Sequence, residues 1–426
     1  MIKAIVKFML GSILLVAVVF GVWWVVSAPP AHLVIAPPYV IGEVPASIVA
    51  VTAQGDPIGE GMITVAEEIG GYDDVLLQEH LGRAFVTARD GWIWQIDLDT
   101  GEAERVVDVP LMAAGALMIP GDDNRLCFCA SVLYGETYPE DERVGLYELN
   151  LETKEITMLV DRVPLPPTIT APRLGNEGTV FTAETETRLR QDEMTDANSR
   201  PLAFCNDVTV SKDGNRFYIS EPFPYEGASM GGGAFGEAVT LGNNGRLWNF
   251  DRETGTVALV AQNYNFIDGV LLDETEEDLE QSILVTETTK FRILRFYLRG
   301  EKAGQDEIVW EFLPGLADAL ERDAKGNIWV GIIKTRSPLM TWMHANPWIK
   351  PLMLRIPQEN LPVPTVTAIM ALSPDASTPL FYAEHPGTHV HDIAAAIPGK
   401  DFIYLANFSD LTPGLHKIPN PLTQKN

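Results

Sequence analysis

The sequence predicts an all-β fold, a six-bladed β-propeller preceded by a single N-terminal transmembrane helix. Three observations carry this. Short apolar or alternating runs, bounded by Gly, Asp, Asn or Pro, fill the chain after residue 70. One two-hairpin unit recurs until six copies are visible. No segment past residue 26 sustains a helical period.

The N-terminus comes first. Lys3 and Lys7 precede an apolar run from Phe8 to Val26, broken only by the small residues Gly11, Ser12 and Gly21. At about 1.5 Å per residue, that run matches roughly the 30 Å hydrocarbon core of a bilayer. Trp23 and Trp24 fit an interfacial belt, and lysines ahead of the run place the N-terminus in the cytoplasm. The rest of the chain then lies on the non-cytoplasmic side. A cleaved signal peptide is the other reading, but Pro29 and Pro30 follow the only small-residue site, and both readings export the domain. Residues 1–28 are therefore expected as a signal anchor, 29–70 as a stalk and entry strand, and 71–426 as the propeller.

The repeat opens on a polar residue, then a strand, a turn and a second apolar strand. Its copies are YDDVLLQEHLGRAFVTA at Tyr72, GALMIPGDDNRLCFCAS at Gly115, FCNDVTVSKDGNRFYIS at Phe204, FIDGVLLDETEEDLEQSILVTE at Phe266, ADALERDAKGNIWVGI at Ala317 and HDIAAAIPGKDFIYLANF at His391. A second hairpin, as in DGWIWQIDLDTGEAERVV, follows most of them with a tight turn at DTG, ETK or ETG. Two hairpins per unit make a four-stranded blade, and radial packing buries both faces of each blade. Residues 161–203 break the pattern and read as a long loop, either a lid or an insertion without a role.

Charge and cysteines narrow the function. There are 31 Lys and Arg against 58 Asp and Glu, a net charge of -27, which repels nucleic acid and suits cations or neutral ligands. The three cysteines are too few for a disulfide framework. Cys127 and Cys129 read as small buried hydrophobes and Cys205 as unpaired. No nucleophile elbow is read from the sequence, so a serine-hydrolase reading has no support. Gly231–Gly233 lack a following helix in this reading, so they are no phosphate cradle. The sequon at Asn407 falls in a predicted strand and is assigned no role.

In a propeller the innermost strands line a central channel, and their first residues meet at one mouth. The repeat brings Asp74, the Gly115 region, Asn206, Asp268, Asp318 and His391 there. Asp74, Asn206, Asp268 and Asp318 are oxygen donors. Calcium takes six to eight such ligands, whereas zinc needs a His/Cys set that the sequence lacks. Clustered carboxylates also repel one another unless a cation sits between them.

The segments FCNDVTVSKDGNRFYIS, NGRLWNFDRETG, VTETTKFRILRFYLRG, FLPGLADALERDAKGNIWVG and NPWIKPLMLRIP resemble the strictosidine-synthase-like family, in order from about residue 40 to 420. That family is similar in fold to paraoxonases and gluconolactonases, calcium propellers acting on esters and lactones. The resemblance implies a calcium site at Asn206 (in Asn206-Asp207-Val208), at Asp268 where the family has asparagine, at Asp318 (with Ala317 and Ala319 flanking it) and at Asp74 where the family has glutamate. The implied activity is hydrolysis of a small ester or lactone. A carbonyl polarised by calcium would meet water activated by Asp318 as base, or Asp318 itself as nucleophile, with His391 or His389 carrying a proton. A purely structural His391 stands beside that role. The glutamate of the plant strictosidine synthases is missing from His389-Val390-His391-Asp392, which removes a Pictet–Spengler condensation. The second function is a non-catalytic, membrane-anchored docking propeller with a structural calcium.

Overall fold

A computed structural model describes residues 2–168, 175–274 and 280–423. Six four-stranded antiparallel blades form around one axis, with chain ranges 72–108, 112–160, 208–264, 267–310, 315–385 and 393–419. The first strand of each blade is innermost. These are Tyr72–Gln78, Met112–Met118, Val208–Val210, Ile267–Glu274, Gly315–Arg322 and Ile393–Pro398. Each packs on the first strand of the next blade, and the last packs on the first. The ring is locked by Ile63–Val65, which pairs with Leu415–Pro419 as the outermost strand of blade 6. A strand from the front of the chain thus completes the blade made at its end.

Why the strands are apolar on both sides follows from the six core clusters, one at each blade-to-blade interface. Successive side chains of a strand point to opposite faces. In Arg125–Ser131, Cys127 and Cys129 enter the interface of blades 2 and 3, while Leu126, Phe128 and Ala130 enter that of blades 1 and 2. In Ile328–Thr335, Ile328, Val330 and Ile332 face blade 4 and Trp329 faces blade 6.

Several expectations change. Cys129 and Cys205 form a disulfide, with Cα atoms 5.0 Å apart, tying blade 2 to the entry of blade 3. The sequence hid the pair because its members are 76 residues apart and meet only when the blades stack. Cys127 alone is free and buried, as expected. Residues 29–70 are not a free stalk: Ile41, Ile48 and Ile58 are buried in the blade interfaces. The described part of 161–203 is no lid. Thr179–Val180 and Arg188–Arg190 pair with Thr256–Tyr264 and extend the outer edge of blade 3. Short helices do occur after residue 26, at Phe235–Thr240 directly behind Gly231–Ala234, and at Pro338–Ala345. Ser337 caps the latter, its Oγ accepting from Met340 N at 3.1 Å with Pro338 in the first turn. Asn407 is buried, its Nδ2 donating to the carbonyls of Ser409 and Thr412, so the sequon is closed to glycosylation.

Ile2–Val26 is one helix. Among the described residues no helix is long and apolar enough to cross a membrane. The expected span is therefore observed as a helix and not established as a span.

The disulfide gives a direct check. Unfolded without reductant, the chain should show one titratable thiol, from Cys127; after reduction it should show three. Cys205→Ser should lower stability by about 4 kcal/mol, the loop-closure value for a bridge of this span, read by chemical denaturation. Three thiols without reductant would remove the bridge.

Candidate functional site

The same irregularity marks the inner strand of every blade but the third. Its pairing with the second strand skips between Tyr72 and Val75, Ala113 and Ala116, Ile267 and Val270, Ala317 and Leu320, and Ile393 and Ala396. In blade 3 the ladder begins at Val208, just after Asn206-Asp207. A bulge releases two residues from the ladder and re-aims their side chains. The first released residues are Asp73, Ala114, Asn206, Asp268, Asp318 and Ala394. The second are Asp74, Gly115, Asp207, Gly269, Ala319 and Ala395.

The first set makes the site. Asp73, Asn206, Asp268 and Asp318 all line one cavity of about 510 Å³. Asn206 Nδ2 donates to Asp268 Oδ1. Thr288 Oγ1 lies 3.1 Å from Asp268 Oδ2 and 2.7 Å from Ala317 O. The Asp268 and Asp318 carboxyls are near enough to perturb each other's titration.

The second set holds blades together. Asp74 Oδ1 accepts from Val75 N at 2.7 Å, and its Oδ2 accepts from Ala116 N of blade 2 at 2.9 Å. Asp207 repeats this with Val208 N and with Val270 N of blade 4, both at 2.8 Å. In blade 4 the second residue lies against the neighbouring backbone with no room for a side chain. A Cβ on Gly269 would stand 2.2 Å from Asp318 O.

Asp74 is thus a bracket between blades, and Asp73 takes the place expected for it. Aligning the repeats on the first apolar residue after the bulge would have shown this: Asp73, Asn206, Asp268 and Asp318 each stand two residues before Val75, Val208, Val270 and Leu320. His391 and His389 are not among the residues lining the cavity. His391 N donates to Asn407 Oδ1 at 3.3 Å, and exposed His389 has its Nδ1 beside Thr388 Oγ1 at 2.9 Å. Asp392, at φ 51°, reaches the cavity instead, paired with Lys334. Arg89 also lines it, donating to Phe408 O at 3.0 Å and pairing with Asp410 at 3.1 Å. Sequence reasoning passed over both cations because each comes from a different strand end.

The cavity has a polar floor and apolar walls. Two insertions between second and third strands supply most of the wall: Met230, Phe235 and Val239 from blade 3, and Met340, Met343 and Met353 from blade 5.

Burial raises the floor carboxyls first, and their neighbours raise them further. Asp73 is pushed up to about 8 by burial and by the charges of Asp268 and Asp207, against the opposing pull of Arg89. Asp268 rises to about 6 and Asp207 to about 7, mainly by burial. Asp318 rises well above the usual range by burial and by Asp268 and Asp73. Among the described residues, no three His, Cys, Asp or Glu side chains are already spaced as a metal site. The donor set nonetheless fits a hard cation. Three crowded carboxylates and an amide lie on one floor, and a divalent ion offsets the repulsion and desolvation that raise them.

No family model matches the chain. It is 30% identical over 163 residues to the protein strictosidine synthase-like 13 of Arabidopsis thaliana, covering 38% of each. It is 27% identical over 221 residues to the human adipocyte plasma membrane-associated protein, covering 47% of this chain and 51% of that one. The chain's homologues are thus strictosidine-synthase-like and adipocyte plasma membrane-associated proteins, although each match spans well under two thirds of the relative's length. A gluconolactonase from Xanthomonas campestris superposes with a TM-score of 0.51 at 12% identity, over 92% of this chain and 98% of that one, which shows a shared propeller fold.

Two outcomes are expected. Calcium at 100 times its Kd should add about 2.7 kcal/mol of stability. Asp73→Ala should abolish that gain, whereas Asp74→Ala should keep it and lose about 1–3 kcal/mol for each backbone amide left bare. A calcium response lost in Asp74→Ala but kept in Asp73→Ala would reverse the assignment. Secondly, in chelator the raised carboxyls hold protons that the unfolded chain has released. Their stabilisation is fully present below about pH 4 and lost as pH rises through the folded values of Asp268, Asp207 and Asp73. Tm in chelator should therefore fall from about pH 5 to 8, and calcium should flatten the profile; a flat profile in chelator would contradict the crowded floor.

Proposed function

We propose that this chain is a hydrolase of esters or lactones, with calcium held at the channel mouth by Asp73, Asn206, Asp268 and Asp318. The observation that supports it is an oxygen-donor floor beneath an apolar-walled cavity of about 510 Å³. Bound there, calcium supplies positive charge that keeps the floor carboxylates ionised and polarises a carbonyl oxygen.

The chain's own groups do the rest. Phe204, Phe266 and the methionines of the wall bind an acyl or aryl group and exclude water around it. The carbonyl then lies over the floor. Asp318 takes a proton from water as its oxygen bonds to the carbonyl carbon. When the carbon–oxygen bond to the leaving group breaks, Asp318 returns that proton to the departing alkoxide, giving an acid and an alcohol, or one hydroxy acid from a lactone. Lys334 and Arg89 offset the negative charge that gathers on the way.

Membrane attachment belongs to the same proposal. Ile2–Val26 serves as the anchor, and the propeller lies on the non-cytoplasmic side. The Cys129–Cys205 bridge supports an oxidising compartment. One observation favours the non-catalytic reading. Among the described residues no histidine lines the cavity, so the expected imidazole proton carrier is not at hand.

Hydrolysis of phenyl acetate and of aliphatic lactones by the full chain in detergent separates the two. Turnover should require calcium. Asp318→Asn should lower kcat by about 100-fold or more, a general base's usual share, with Tm above that of the chelated chain. No turnover across the panel, with calcium bound, would overturn the hydrolase and favour the docking protein.

A further inference from the structure

The two ends of the propeller differ in chemistry. Inner strands begin at the cavity end, so the loops joining second to third strands lie there too. These loops expose Tyr134, Leu339, Trp342, Trp348, Val363 and Leu411, with Trp348 at 68% and Leu411 at 77%. The opposite end is built from short turns such as PGDDN, SKDGN, DAKGN and DTG. Among the described residues of those turns, Leu81 is the one exposed large hydrophobic. Scattered apolar residues on a surface are ordinary, but a set gathered on one rim marks an interaction site.

The N-terminal helix leaves from this same rim. Arg355 donates from Nε to Trp24 O at 3.1 Å, and its guanidinium lies 3.8 Å from the Trp24 ring centre. The following segment stays on the rim: His32 stacks on Tyr225 at 3.9 Å, and Ala36 N donates to Thr240 O at 2.9 Å. Among the described side chains of the helix, Leu14, Leu15, Val18, Val19, Phe20 and Val22 are each more than half exposed, and Trp23 and Trp24 are half-buried. Trp342 and Trp348, on the same insertion as Arg355, stand edge to face 5.8 Å apart. Tryptophan is the residue that settles at the headgroup level of a bilayer. In sequence the blade 5 insertion that carries them holds Arg336, Lys350 and Arg355 against one acidic residue, in a chain of net charge -27, although Lys350 itself is buried.

We propose that the cavity rim docks on a phospholipid bilayer, with Trp342 and Trp348 at the headgroup level, so that the cavity opens towards lipid. This rests on the helix being the membrane anchor, which brings the rim within side-chain reach of the interface. It does not depend on hydrolysis.

The test uses the full chain in vesicles of phosphatidylcholine or of dibromo-phosphatidylcholine. Neither Trp342 nor Trp348 lines the cavity. The fluorescence difference between wild type and W342F/W348F isolates this pair from the chain's other tryptophans. The expected result is that bromolipid quenches the difference signal at least twofold while aqueous iodide does not. A Leu81→Trp reporter should behave oppositely. Quenching of the Trp342/Trp348 signal by iodide and not by bromolipid would overturn the proposal. So would a signal reached by neither quencher together with a dimer in sedimentation, which would assign the rim to a second copy. Calcium binding and turnover are measured on the same samples, so their failure is read separately.

Discussion

Five of the six inner strands of this propeller give up two places in the hydrogen-bond ladder, and the remainder of the structure is arranged around that bulge. A continuous ladder would send alternate side chains into the two blade interfaces and none to the axis. The bulge breaks the alternation in five blades, and in blade 3 the ladder begins at Val208, just past Asn206 and Asp207. One freed side chain turns to the mouth, where Asp73, Asn206, Asp268 and Asp318 meet. The other turns to the neighbouring blade, where Asp74 and Asp207 take up amides that the broken ladder leaves without partners. Site and scaffold are therefore adjacent residues with opposite duties.

This arrangement concentrates acid where water is scarce. Asp73, Asp74, Asp207, Asp268 and Asp318 all sit in the channel and rise above the ordinary carboxylate range, chiefly by burial. Brackets such as Asp207 recover part of that cost through backbone amides. The mouth residues have fewer such partners, and a cation is their natural complement. The closure of blade 6 by Ile63–Val65 matters here, because a ring that opened would separate the donors.

The loops divide the labour. At the far end they are tight turns set by Asp, Asn and Gly, and they do little beyond reversing the chain. At the mouth, blades 3 and 5 carry long insertions whose phenylalanines and methionines turn an acidic funnel into a cavity with apolar walls. Flexible thioethers suit a wall that must follow a ligand's shape. The apolar wall continues outward into the exposed rim beside the N-terminal helix, so cavity and surface share one chemistry.

The sequence by itself determined the number of blades, the starts of their inner strands and three of the four mouth donors. Those features repeat locally: in blades 1, 3, 4 and 5 a polar residue stands two places before the first apolar residue of the strand, whereas blades 2 and 6 have Ala114 and Ala394 there. It also determined the apolar N-terminal run. The Gly-x-Ser-x-Gly stretch Gly227–Gly231 is no elbow in the fold, for Ser229 is buried and does not line the cavity. Only the tertiary structure decided between Asp73 and Asp74, because a bulge shifts by one residue which side chain reaches the axis, and period-two reasoning presumes an unbroken ladder. It also decided the pairing of Cys129 with Cys205, the placing of Arg89 and Lys334 at the cavity, the displacement of His391 from it and the edge position of the 179–190 strands. Each of these joins residues far apart in the chain. Such contacts arise from the radial stacking of blades, which no local pattern of residues encodes.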